Sequence, residues 1–585
     1  MKYIFDNIES TFDKAIFNNL LHKDGLWMPE TIPQIDTNFI NNCDKYSYLE
    51  ISKFILNKFI PEDIIKETDL NTIIEKSYNF EPKLLNFTDN ISIFELFHGP
   101  TLAFKDFGVN FMANLYDYFV SDDMNINIIN ATSGDTGSAV ANSFYNKNNI
   151  KVFILYPKNK ISILQEKQIC SLGKNIFPIE IDGSFDDCQK IVKQMLNETI
   201  NSKIKFISAN SINIARLLPQ ITYYFYLYGR LKTINKIDKK IIVSVPSGNL
   251  GNLTAGLFAK KMGLPIHKFI CALNLNNTFY NYLNTGKYIS KKSVKTLSNA
   301  MDIGNPSNFI RIPQLYSYTE LTDIVKSYFI DDNTTILNIE NIYRKYNYIL
   351  DPHSSVGYCA LQNYIEEINN NNNHYVLLST AHPIKFEKEI NDNLSEKIDI
   401  IKPKNIDILF SKETMKKTLS NEYNLVYDYI LDTIKLKQNI ILIGMPYSGK
   451  TTYGKELAKN TNREFIDTDE LIERKYNKSL IDILNICGNE VFLEIEKDIV
   501  KSIQGDNLVI STGGSVIYKE ESMNYLNSMY GKIIYLNITY ETLEKRCNNL
   551  NTRGVVLKPL QSLNDLYNER IPYYEKYSND TIIND

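Results

Sequence analysis

Residues 240–252, Lys240-Ile241-Ile242-Val243-Ser244-Val245-Pro246-Ser247-Gly248-Asn249-Leu250-Gly251-Asn252, pass from an apolar run into a Gly/Asn turn, and a helix-forming segment, Leu253–Met262, follows. Glycines let consecutive backbone N–H groups converge, and the helix N-terminus adds partial positive charge, so the turn suits a phosphate dianion. The same order recurs upstream. There Asn125–Asn130 leads through Ala131-Thr132-Ser133-Gly134-Asp135-Thr136-Gly137 into Ser138–Phe144. Downstream, Tyr375–Leu378 leads into Ser379-Thr380-Ala381-His382-Pro383. Such alternation predicts βαβ units, parallel sheets, and ligands at the carboxyl ends of the strands. The expected fold class is α/β.

At 585 residues the chain exceeds one core, and about 150 residues per domain gives three or four units. Hydrophobic residues make up 43% and charged residues 23%, a globular composition. A net charge of −4 offers no basic surface to nucleic acid or an anionic membrane. Seven scattered cysteines without C-x-x-C argue against a disulfide framework or a zinc site and point to a reducing cytoplasm. Met1–Ser10 is polar and acidic, unlike a secretory leader, and no apolar run reaches the ~18 residues of a membrane span. The run Asn369–Asn373 reads as a loop insertion.

Lys105 sits within His98-Gly99-Pro100-Thr101-Leu102-Ala103-Phe104-Lys105-Asp106-Phe107-Gly108, a lone lysine in an apolar segment. Desolvation disfavours the ammonium and lowers its pKa, which readies a lysine to form a Schiff base with an aldehyde cofactor. This string resembles the pyridoxal-phosphate lysine motif of the threonine synthase family. Further motifs of that family follow in order over about residues 1–430, starting at Asp24-Gly25-Leu26-Trp27-Met28-Pro29-Glu30. The resemblance implies a fold-type II pyridoxal-phosphate enzyme with two parallel-sheet α/β subdomains. It implies that Ser247, Gly248, Asn249, Leu250, Gly251 and Asn252 hold the cofactor phosphate and that Thr380 meets the pyridine nitrogen. Ser133, Gly134, Asp135 and Thr136 would serve the substrate carboxylate and the ring 3′ oxygen.

Asn210, Ser211, Asn213 and Arg216 supply amide, hydroxyl and guanidinium donors suited to a phosphate ester. Lys158, Lys160 and Gln165 also match the family, as do Met301–Asn308 and Asp351-Pro352-His353. His98, His353 and His382, each in such a string, are read as structural. The implied reaction converts O-phospho-L-homoserine and water to L-threonine and phosphate. Lys105 would shuttle protons while the cofactor carries the electron-sink chemistry.

A polar stretch, Asn391–Asn405, and a helix-like segment, Leu419–Ile434, close this half. The domains expected are residues 1–434, a linker at 435–439, and residues 440–585. Ile440–Ile443 leads into Gly444-Met445-Pro446-Tyr447-Ser448-Gly449-Lys450-Thr451, a complete G-x-x-x-x-G-K-[ST] between a strand and a helix. Gly444, Ser448, Gly449, Lys450, Thr451 and Thr452 are expected to cradle ATP, with Lys450 on the β/γ oxygens and Thr451 on Mg²⁺. In Asp467-Thr468-Asp469, Asp467 would serve the metal and Asp469 the acceptor hydroxyl. This half resembles the shikimate kinase family, a P-loop α/β fold. The resemblance implies Gly513, Gly514 and Arg570 at the acceptor and Arg553 in a lid over ATP.

Two departures bear on the acceptor. Phe492-Leu493-Glu494 carries leucine where that family has an arginine, and Ser515 replaces the third glycine of a Gly-Gly-Gly turn. Losing one arm of a carboxylate clamp removes bonds worth on the order of 1.5–3 kcal/mol. The neighbouring synthase consumes O-phosphohomoserine, so homoserine is the expected acceptor, its carboxylate on Arg570 and its ammonium on Glu494 or Asp469. Shikimate is the alternative. A nucleotide sensor without transfer activity, or a scaffold, would have no need of Lys105, Lys450, Thr451, Asp467 and Asp469 together. The expected partners are small molecules, with no reading of the oligomeric state.

Overall fold

The protein's structure, a computed structural model, describes residues 1–5, 8–17, 25–120, 125–197, 206–368, 372–403, 406–434, 439–503, 507–529, 531–547 and 554–585. The chain forms two compact units, Met1–Asp428 and Tyr429–Asp585.

The first unit contains two larger sheets. One has six strands in the order Val325–Phe329, Lys268–Leu273, Lys240–Pro246, Asn373–Ser379, Ile91–Glu95, Lys83–Asn86. All its pairs are parallel except the last, Ile91–Glu95 with Lys83–Asn86. The other has five parallel strands in the order Lys417–Ser420, Ile176–Asp182, Ile150–Pro157, Ile126–Ala131, Phe206–Ile207. Ile126–Ala131 and Asn373–Ser379 are buried along their whole length. Central parallel strands covered on both faces read as continuous apolar runs for this reason. Each of the three strand–turn–helix repeats ends its strand at a turn that reaches the site. A small antiparallel sheet of Ile8–Ser10, Tyr3–Phe5 and Met28–Pro29 precedes them.

Two helices position the chemistry. Lys105–Phe119 starts at the candidate lysine, and Ile214–Thr233, buried over most of its length, starts just before Arg216. They pack through an aromatic cluster in which Phe107 lies edge-on to Tyr48 and Tyr223, 5.4 and 5.7 Å away. One element differs from expectation. Leu419 lies in the edge strand Lys417–Ser420, opposite Ile181, and the helix begins only at Tyr423. Pairing with the exposed edge of Ile176–Asp182 overrides local helix preference there.

The second unit carries five parallel strands in the order Glu464–Asp467, Leu508–Ser511, Asn439–Ile443, Gly531–Asn537, Asp580–Ile583. The strand before the Gly-Lys-Thr turn is central, so that turn emerges beside the end of its neighbour at Ser511, with Asp467 at the end of the next strand out. Asn439, expected in the linker, already belongs to this strand, and residues 435–438 lie outside the described residues. Among the described residues, no helix is long and apolar enough to cross a membrane.

Candidate active sites

In the first unit a cavity of about 730 Å³ is lined by Lys105, Ser133, Asp135, Thr136, Asn210, Ser211, Arg216 and Thr380, and also by Gly248, Asn249, Gly251 and Asn252. Lys105 reaches it through a constrained loop. Leu102 takes a left-handed φ of 61°, and buried Asp106 accepts from the Thr101 N–H (2.9 Å) and hydroxyl. A non-glycine residue in that conformation persists only where its surroundings hold it. Lys105 Nζ stands 3.5 Å from Asp135 Oδ2. Burial pulls its pKa below the ordinary lysine value, with Asp135 opposing and Lys385 and Arg216 assisting. Burial would raise the Asp135 carboxyl, but Lys385 and Lys105 outweigh it and hold it well below the usual carboxylate range.

The Gly/Asn turn forms an anion cradle. Leu250 (φ 60°) caps the helix Gly251–Lys261 in the left-handed region and aims the turn's backbone at the cavity. Asn249 fixes it by donating to Ser211 Oγ (2.6 Å) and accepting from the Ser307 N–H (2.6 Å). A Cβ on Gly248 would come within 2.6 Å of Met301 Cα, so only glycine fits. Ser247 and Leu250 do not line the cavity; the Ser247 hydroxyl donates to Asn252 Oδ1 (2.6 Å) behind the turn. A buried lysine facing a helix-capped backbone cradle fits an aldehyde cofactor that carries a phosphate. Thr380 lines the cavity with its backbone fixed at both ends, N–H to Ser354 Oγ (3.2 Å) and carbonyl from the Phe104 N–H (2.9 Å).

Arg216 is 2% exposed. One η nitrogen donates to the Ala209 carbonyl while its Nε has no partner, and burial pulls the guanidinium down to about 10. A buried cation with a spare donor on a cavity wall points to an anionic ligand. Asn213 is not part of that wall: it caps its helix, accepting from the Ala215 N–H and donating to the Ile16 carbonyl and Tyr116 hydroxyl. Lys158 and Gly134 also lie off the lining; Lys158 is 4.0 Å from Asp182 at the surface. His353 lines the cavity, its Nδ1 on Asp351 (2.7 Å) and its Nε2 accepting from the Ala300 N–H. Lys385 escaped the sequence reading although it lies five residues beyond Thr380. So did Gln189 and Lys193, which reach the cavity from the helix Phe185–Asn197.

In the second unit a pocket of about 250 Å³ is lined by Gly449, Lys450, Thr451, Thr452, Asp469, Gly513, Gly514, Ser515, Arg546 and Arg570. Lys450 Nζ donates to the Gly444 and Met445 carbonyls, each at 2.8 Å, across the mouth of the turn. Thr451 Oγ1 donates to Asp467 Oδ2 (2.8 Å), which brings together the two groups expected at Mg²⁺. Gly444 and Ser448 shape the turn without lining the pocket, and Arg553 lies outside the described residues. Arg570 is fully buried, with Nε on the Tyr518 hydroxyl (3.1 Å) and Nη2 on the Val556 carbonyl (3.0 Å). Leu493 joins an apolar cluster with Phe492, Leu480 and Val556. Glu494 does not line the pocket; it is half-exposed and paired with Lys497 and Lys519. Glu496, four residues beyond Phe492, was missed. It is buried beside Asp469 and Gly513, accepts from Ser515 Oγ (2.9 Å), and burial with Asp469 nearby pushes it up to about 8.

Fold and sites together define a fold-type II pyridoxal-phosphate enzyme followed by a P-loop α/β unit. Four family matches cover the chain: threonine synthase N terminus over residues 6–78, pyridoxal-phosphate dependent enzyme over 85–380, threonine synthase C-terminal over 354–430, and shikimate kinase over 446–585. The chain is 42% identical over 398 residues to the threonine synthase of Buchnera aphidicola subsp. Acyrthosiphon pisum, covering 67% of this chain and 91% of that one. It is 40% identical over 399 residues to that of Escherichia coli, covering 68% and 91%. The crystal structure of the Escherichia coli enzyme superposes with a TM-score of 0.68 at 37% identity, covering 74% of this chain and all of that one. The chain belongs to the threonine synthase family and carries a shikimate kinase-like domain at residues 446–585.

Proposed function

We propose that the first unit converts O-phospho-L-homoserine and water to L-threonine and phosphate. The observation that carries this is one cavity holding a buried lysine, a backbone anion cradle and a second anion site with a spare guanidinium donor. Asn210, Ser211 and Arg216 bind the substrate phosphate, and Ser133 and Thr136 orient its carboxylate. Gly248, Asn249, Gly251 and Asn252 hold the cofactor phosphate and Thr380 meets the ring nitrogen. Bound pyridoxal phosphate supplies the electron sink for loss of phosphate from Cγ and addition of water at Cβ. Lys105 Nζ moves protons at Cα and Cβ, a task for which burial favours its neutral form. Lys105→Ala should lose both the visible cofactor band and threonine formation; a variant that keeps turnover contradicts this assignment.

For the second unit we propose an Mg²⁺- and ATP-dependent kinase of a small hydroxylated acid, occupying residues 440–585 after the 435–439 linker. Lys450 holds the transferring phosphoryl group, Thr451 and Asp467 serve the metal, Asp469 orients the acceptor hydroxyl and Arg570 takes its carboxylate. Homoserine is the preferred acceptor, because Leu493 is drawn into an apolar cluster and the neighbouring synthase needs the phosphorylated product. The shikimate kinase match supports shikimate as the second reading. Full-length chain with pyridoxal phosphate, MgATP and homoserine should yield threonine; ADP release with shikimate and none with homoserine decides for the second reading. With all seven cysteines free, five of them buried, we assign the chain to the reducing cytoplasm.

A further inference from the structure

Asp135 has two lysine partners. Oδ2 faces Lys105 Nζ at 3.5 Å, and Oδ1 faces Lys385 Nζ at 3.0 Å. Lys385 lies in the short turn Pro383–Phe386 that follows Thr380, and it is 1% exposed. Among the described residues its ammonium also meets the Thr101 carbonyl (2.7 Å) and Gln168 Oε1 (3.0 Å). One contact is on the loop that presents Lys105, one on the helix Ile163–Cys170, and one on the first residue of Asp135–Phe144. A lysine this deep is rare unless paired, and here it pairs with Asp135 and donates two hydrogen bonds besides. Gln165 Nε2 completes the clamp on Asp135 Oδ1 at 2.9 Å.

We propose that Lys385 is a positioning residue that sets the proton affinity of the Lys105 nitrogen by sharing the negative charge of Asp135. This rests on the assignment of Lys105 as the cofactor lysine. The charged groups acting most strongly on Lys105 are Asp135, which favours its protonated form, and Lys385 and Arg216, which oppose it. Asp106 is held by Thr101 and couples to Arg216, and His353 acts on Asp135 from the helix Pro352–Ile368. With Lys385 in place, the Asp135–Lys385 pair is close to neutral as seen from Lys105. Removing Lys385 leaves an unshared buried carboxylate against it, and a buried charge pair is screened far less than a surface one. Selecting the neutral nitrogen near pH 7 is what proton transfer at Cα requires.

The test uses the full chain loaded with pyridoxal phosphate and follows the pH midpoint of the visible cofactor band, which reports the proton on the Lys105 nitrogen. Lys385→Met should raise that midpoint by on the order of one pH unit, and Lys385→Arg, which keeps the charge, should restore it. Asp135→Asn should move it the opposite way, below the unsubstituted chain, and stands as the test should Lys385→Met not fold. A Lys385→Met protein that binds cofactor with an unchanged or lowered midpoint overturns the proposal, as does an Asp135→Asn midpoint that rises. Loss of thermal stability alone, with the midpoint fixed, would assign Lys385 a purely structural role. Absence of any visible band in the unsubstituted chain would instead defeat the assignment of Lys105.

Discussion

Arg216→Met separates binding from folding in the first unit. The side chain is buried with one η nitrogen on the Ala209 carbonyl and Nε unpartnered, and burial already pulls the guanidinium down to about 10. The protein therefore bears the cost of a half-satisfied buried cation before any ligand arrives. Methionine fills a similar volume, so stability should change little: the lost bond to Ala209 costs about 1 kcal/mol, offset by relief of desolvation. A charge-assisted bond to a phosphate oxygen is worth on the order of 1.5–3 kcal/mol, so kcat/KM for O-phosphohomoserine should fall roughly 10- to 150-fold. Inhibition by inorganic phosphate should weaken in parallel. The assay is steady-state threonine formation with phosphate inhibition, alongside thermal unfolding. A kcat/KM within twofold of the unsubstituted chain, at unchanged Tm, would refute the role given to Arg216.

Gly108→Ala should destabilise by about 1–3 kcal/mol in urea unfolding and raise KM. Its Cβ would meet the Arg216 carbonyl at 2.7 Å, which overrides the usual gain of alanine in a helix. His374 is fully buried with Nε2 on Ser92 Oγ (2.9 Å), and burial followed by Lys236 and Lys239 pulls it down to about 4. Because the folded value lies below the unfolded one, its contribution is present above pH about 6.5 and lost as pH falls toward 4. That amounts to about 3 kcal/mol, and His374→Asn should flatten the stability profile over that window. Asp467→Asn should lower Mg²⁺-dependent ATP turnover by at least about 100-fold while leaving threonine formation from O-phosphohomoserine intact, since Asp467 serves only the second unit.

Local chemistry made the strand–turn–helix units and both Gly-rich turns legible, because glycine spacing and β-branched runs act over a few residues. Lys105 and the Gly-Lys-Thr turn were legible for the same reason. What a side chain does after long-range contacts claim it was not. Asn213 looked like a phosphate ligand but spends its amide on capping and on Ile16, 197 residues away. Glu494 looked like an ammonium partner, yet its position on the helix Leu480–Ser502 turns it to solvent and to Lys497 and Lys519. Glu496 shares the buried face with Phe492 at i,i+4 spacing, a signal present in the sequence but secondary to the missing arginine beside it. Lys385 carries no periodic mark at all. Only the meeting of three separate segments makes it part of the site.

The reaction proposed for the first unit releases phosphate by carbon–oxygen cleavage and brings water onto the product carbon. It is tested most directly by turnover of O-phospho-L-homoserine in ¹⁸O-water, with mass analysis of both products. That reaction puts one ¹⁸O in threonine and none in the released phosphate, and forms the two in equal amounts. Label in the phosphate, with homoserine as the co-product, would mean simple phosphate-ester hydrolysis and would contradict the assignment of the first unit.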